Sequence, residues 1–160
     1  MINRKNVVAV LTVYIAFVFV QSLFFKFTNS PETQYIFGTL NEWVLSLGAP
    51  PLFAPNGLFS QYVIGSAELV ASSLLLVGLL TGRQLIHALG ALMSLGVISG
   101  AITFHLFTPL GVSVKNADGS FDGGQLFALA CGVWISAAII LWVRRDTILA
   151  FVPSFARSEQ

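Results

Sequence analysis

Hydrophobic and polar residues are segregated into long blocks along this chain. Four blocks stay apolar for about 20 residues, the length at which a helix rising about 1.5 Å per residue crosses roughly 30 Å of hydrocarbon. They run from Val7 to Phe25, Phe59 to Leu80, Leu85 to Phe107 and Gly123 to Val143, and Glu68 is the one Asp, Glu, Lys or Arg inside them. Lys26 closes the first block, so the pattern predicts membrane spans over 7–26, 59–80, 85–107 and 123–143.

The connectors differ in kind. Only Thr81, Gly82, Arg83 and Gln84 separate the second and third spans, which predicts a tight antiparallel pair with Gly82 ending the first helix. The connector from Phe27 to Leu58 carries a helix signal of its own. Ser30 can cap, Pro31 suits the first helical position, Glu32 suits the positive helix end, and Gly48 with Pro50 and Pro51 stops the run. Ile36, Leu40, Trp43, Val44 and Leu47 recur at helical spacing between them, so a helix over about 31–47 is expected to lie along the outer membrane surface, apolar side down. In the last connector Asp118-Gly119 reads as a hairpin turn, and Asp122 with Gln125 as a capping box for the fourth span. The predicted fold is all-α: a single-domain integral membrane four-helix bundle over 1–160, with one extra interfacial helix.

Composition sharpens this. The chain is 56% hydrophobic and 9% charged, against about 25% charged in soluble domains, so a water-facing surface cannot be built from it. A net charge of +1 offers no broad basic face, which removes nucleic acid as a partner. Cys131 is the only cysteine, so an intramolecular disulfide, a CxxC pair and a cysteine metal cage are excluded within one chain. Asn3, Arg4 and Lys5 begin the chain as a secretory signal would, but the apolar run is long and no A-x-A-like cleavage site follows, so the expectation is an uncleaved first span. If the spans alternate, Arg4, Lys5, Arg83, Arg144, Arg145 and Arg157 share one side and Lys26 and Lys115 the other, which by the positive-inside rule places both termini in the cytoplasm.

The candidate chemistry sits on polar positions at membrane depth. An ionisable group there costs at least about 2.5 kcal/mol and normally faces a partner or a cavity. Gln61, Gly65, Glu68 and Ser72 form one polar and small stripe on the second span, and His87, Ala91, Ser94, Ile98, Ala101 and His105 a comparable face on the third. Lys26, with a stem able to snorkel, Glu68 and His105 are expected to converge in the outer half of the bundle. Either they brace the helices or they bind a small polar headgroup or carry protons. Gly96 and Gly100 make a GxxxG suited to close helix packing. His87 and His105 share a face but stand about 27 Å apart along the helix, too far to grip one haem iron, and His87 reads as an interfacial residue near the cytoplasmic surface. The run Asn116, Asp118, Ser120 and Asp122 departs from a calcium loop, which needs Gly where Phe121 stands and Glu where Phe127 stands. No metal site is expected.

These residues also carry a resemblance. Phe25-Lys26-Phe27, the Gly65-Ser66-Ala67-Glu68-Leu69 and Leu76-Val77-Gly78 strings, Arg83, the stretch Phe104-His105-Leu106-Phe107-Thr108-Pro109-Leu110-Gly111 and Asp122-Gly123-Gly124 make nearly the whole chain similar to the DoxX-like family of small four-span membrane proteins. The resemblance implies association with membrane redox systems and carries a lysine and a glutamate onto Lys26 and Glu68. It supplies no catalytic residue. The expected function is an accessory or assembly subunit of a respiratory or redox complex in the bacterial inner membrane, in contact with lipid and other membrane subunits and without a cofactor or catalysis of its own. The alternative is an oxidoreductase subunit that holds a quinone headgroup near Lys26, Glu68 and His105. A small transporter is the third reading, against which stand the unbroken spans.

Overall fold

The computed structural model describes residues 4–150; Asn3 and Arg157 lie outside them. Its described residues form helices α1 (Arg4–Phe27), α2 (Pro31–Ser46), α3 (Gln61–Thr81), α4 (Gln84–Phe107) and α5 (Gln125–Val143). Among them α1, α3, α4 and α5 are long and apolar enough to cross a membrane. Only 28–33% of the most apolar stretch of each is buried inside the bundle. Large apolar side chains such as Val10, Phe17, Phe24, Leu92 and Ile135 point outward instead. Hydrocarbon suits such a surface and water does not, so this is a multi-pass membrane protein.

The four long helices form a ring in the order α1, α3, α4, α5, each packed on its two neighbours. Ile15, Phe19, Ala71, Leu75, Ala91, Ile98, Val133, Ala137 and Ile140 fill its centre. Near the α3–α4 turn, where Gly82 takes the left-handed conformation (φ 68°) that ends α3, the helices approach closely. A Cβ on Gly78 would collide with the backbone of His87, and one on Gly90 would stand 2.6 Å from the Leu75 nitrogen. Gly132 similarly makes room for the Tyr14 ring, whose hydroxyl donates to the Leu129 carbonyl at 3.2 Å. The glycines expected to pack, Gly96 and Gly100, do not do so within this chain: a Cβ at either meets no described atom within 4 Å. The reason is register. α3 crosses α4 near the turn, at the level of Gly90, and Gly96 lies two residues, about 200° around the helix, from both core positions Ser94 and Ile98.

Helix α2 starts as its sequence requires, with the Ser30 hydroxyl accepting from the Thr33 N–H at 3.3 Å and Pro31 in the first turn. Its buried face is Thr33, Phe37, Leu40 and Val44, while Leu47 is exposed. Phe37, Leu40 and Val44 pack against Phe53 and Leu110 from the connectors and against Phe104 and Ile64 from the spans. The apolar side of α2 is therefore spent on the end of the bundle itself, as a roof. In the last connector the hairpin is minimal: Lys115 and Phe121 form one antiparallel bridge, closed by Asn116 N–H to the Ser120 carbonyl at 2.8 Å.

Candidate ligand-binding cavity

The polar stripe of α3 faces α1, and Gln61, Gly65, Glu68 and Ser72 are all buried. Gly65 is what lets α1 come close, since a Cβ there would stand 3.3 Å from the Phe27 ring. The Gln61 amide donates to the Lys26 carbonyl and to Asn29 Oδ1, both at 3.0 Å, and so ties down the end of α1. Two turns deeper along α3, Lys26 Nζ lies 3.0 Å from Glu68 Oε1 and 2.9 Å from Oε2. Side-chain exposures of 15% for Lys26 and 7% for Glu68 make this a buried ion pair. Ser22, one turn before Lys26 on the same face of α1, completes it: it donates to Glu68 Oε2 at 3.0 Å and accepts from Lys26 Nζ. The sequence offered a signal for Ser22 in its spacing of four from Lys26.

His105 does not join that pair. Its Nδ1 stands 2.6 Å from the Gly111 carbonyl, an acceptor only, so Nδ1 carries the proton and the ring clasps the connector that follows α4. Its ring also meets Phe127 edge-on at 5.7 Å. The residue is 8% exposed, and Nε2, the acceptor of a neutral ring, has no partner among the described residues. The expected three-way convergence is thus a pair, Lys26 with Glu68, and a separate histidine.

What joins them is space. A cavity of about 710 Å³ beneath α2 is bordered by Lys26, Glu68 and Ser22 on one side and by His105 with Gln125 on another. Most of its remaining wall is apolar, including Phe19, Phe37, Phe53 and Leu129. Its edge reaches Asp122, whose Oδ1 accepts from the Val114 and Gly124 N–H groups at 2.8 and 2.9 Å and whose Oδ2 accepts from the Leu126 N–H at 3.0 Å. Burial raises this carboxyl's pKa, but those N–H donors and the Ser113 hydroxyl outweigh it and hold it below the usual carboxylate range. Asp122 therefore caps α5 through Leu126, with Gly124 as the N-cap, and not through a box with Gln125. A smaller cleft of about 220 Å³ at Asn6, Val7, Val10 and Leu11 carries none of this chemistry.

His87 sits at the opposite end and is fully buried, not interfacial. Thr12 gives its one hydroxyl hydrogen to the Val8 carbonyl at 2.8 Å, so it accepts the His87 Nε2–H, also at 2.8 Å. His87 Nδ1 and Arg144 Nε are buried there without partners among the described residues. No group of three or more His, Cys, Asp or Glu among the described residues is placed to hold a metal ion. Compared with protein-family models, with curated proteins and with solved structures, the chain finds no match.

Proposed function

We propose that this protein is a DoxX-like membrane subunit that holds a lipid-soluble, quinone-like molecule in the cavity beneath α2, as part of a redox assembly in a bacterial inner membrane. The observation that carries this reading is the cavity itself: about 710 Å³, mostly apolar, with a neutral ion pair on one wall and a histidine on another. Sites for small apolar ligands have that size and that sparse placement of polar groups. Because Lys26 and Glu68 cancel, the wall favours an uncharged head. The carbonyl of such a head can accept from the Lys26 ammonium by displacing Ser22 from one of its three N–H donors, the other two staying on Glu68, and a hydroxyl can donate to His105 Nε2. Both termini are cytoplasmic in this reading, supported by Arg4, Lys5, Arg83, Arg144 and Arg145 at the end of the bundle away from α2.

One observation favours the second reading, an accessory subunit with a purely structural polar cluster: both Glu68 oxygens are already satisfied by Lys26 and Ser22. Purification from native membrane in mild detergent separates the two. One equivalent of a cyclic dione per chain is the expected result, and a stoichiometric protein partner with no small molecule bound would favour the structural reading.

A further inference from the structure

The cavity does not stay inside the ring of helices. Its wall includes Gly96, Val97 and Gly100 of α4, and Gly96 is exposed on the side of that helix away from Ser94 and Ile98. The cavity thus runs from the buried Lys26–Glu68 pair around α4 to the bundle's lipid-facing surface. Near the turn Gly78 and Gly90 bring α3 and α4 into backbone contact, whereas farther along α4, toward α2, the Cβ positions of Gly96 and Gly100 are open. A second feature points independently to a ligand: His105 is 8% exposed, lines the same cavity, and keeps Nε2 without a partner among the described residues.

Resting on the ligand-binding reading above, we infer that the site opens sideways into the membrane, with the ligand's head between the Lys26–Glu68 pair and His105 and its long apolar chain leaving across Gly96 and Gly100. Space of this shape suits a neutral ring bearing an alkyl or isoprenoid chain. A head without a chain would leave the Gly96–Gly100 channel empty, and α2 closes the alternative exit along the bundle axis with Phe37 and Leu40. The two glycines are there to keep a path free, which explains why they carry no packing contact.

The test uses the full-length protein in lipid nanodiscs, with a benzoquinone head alone and the same head carrying a decyl chain. With affinities referred to each compound's concentration in the lipid phase, wild type should bind the chain-bearing compound about tenfold more tightly, since some ten packing contacts at about 0.1 to 0.2 kcal/mol each are worth about that much. Gly96→Leu and Gly100→Leu should remove most of that advantage while leaving the head-only compound within about twofold of wild type. Both substitutions are expected to fold, because their Cβ atoms enter open space. Gly38→Leu, an equally open helical glycine away from the cavity, is the control and should change neither affinity. If wild type binds both compounds and the leucine variants keep the full chain advantage, or weaken head and chain equally, the lateral path is wrong although the site stands. If wild type binds neither, the ligand reading falls and takes this inference with it.

Discussion

The two ends of the same helix bundle are built on opposite plans. Around the α3–α4 turn the helices touch backbone to backbone at Gly78 and Gly90, Leu75 and Ala91 are fully buried, and the polar intruder His87 is matched to Thr12. Beneath α2 the same helices enclose about 710 Å³. There the fold is held by an ion pair, by a histidine clasped to a connector carbonyl, and by a helical roof. In lipid, where chain packing supplies much of helix–helix affinity, the packed end supplies stability and leaves the other free to be hollow. Small residues serve both ends in opposite senses: they admit a neighbouring helix at one and preserve a space at the other.

The contrast is broken most severely at the ion pair. Lys26→Met leaves the Glu68 carboxylate buried with only Ser22, and the expected loss is about 3 to 5 kcal/mol of unfolding free energy, measured by denaturation in detergent. Replacing both partners by apolar residues should recover most of that. If the single and double variants are equally damaged, the pair's charges are not what hold this end.

A matched pair of glycine substitutions compares the two ends directly. Gly90→Ala should cost about 1 to 3 kcal/mol because the added methyl stands 2.6 Å from the Leu75 nitrogen. Gly96→Ala should be neutral or stabilising by up to about 1 kcal/mol, since it gains helix propensity and meets no described atom within 4 Å. Equal costs at the two positions would erase the distinction between a packed end and a hollow one.

The smallest effect belongs to the connector at the cavity's edge. Asp122 has a depressed pKa in the folded protein, so its contribution is present above the ordinary carboxylate value of about 3.9 and is lost as pH falls through the lower, folded value. Protease resistance of the connector from Gly111 to Asp122 should decline below about pH 4 in wild type. Asp122→Ala should show at neutral pH the cap loss of about 1 kcal/mol and a smaller further decline on acidification, the remainder belonging to Asp118 and Glu32, which also bond this connector. A variant that loosens with acid as wild type does would move the effect to another group.

How much of this was legible in the sequence follows from the range of each force. The spans are set by unbroken apolar runs, and α2 by Ser30 and Pro31, signals that act within one helical turn. The inward face of Glu68 was equally local, because Gln61, Gly65 and Ser72 repeat beneath and above it. Its pairing with Lys26 needed only that the last turn of α1 reach Glu68, two turns inside α3. The GxxxG of Gly96 and Gly100 misled because a spacing says that a close approach is possible, not where two helices cross. His105 misled for a related reason: the nearby Gly111 carbonyl competes for its Nδ1–H, and a connector's path leaves no mark in periodicity. The shifted cap of α5 arises because Gly123 and Gly124 both adopt positive φ, which moves the N-cap two residues past Asp122, to Gly124. The cavity had no signal, since empty volume is a property of four helices together.

The most direct measurement is the melting temperature of the purified full-length protein with and without a saturating quinone analogue, for wild type and His105→Phe. A ligand of the folded state at 100 times its Kd adds about 2.7 kcal/mol, so wild type should melt at a clearly higher temperature with the analogue present. His105→Phe loses the bond to the Gly111 carbonyl and should melt somewhat lower by itself, with the analogue-dependent rise reduced or gone. No rise in wild type, or the same rise in both proteins, would contradict a headgroup held between the Lys26–Glu68 pair and His105.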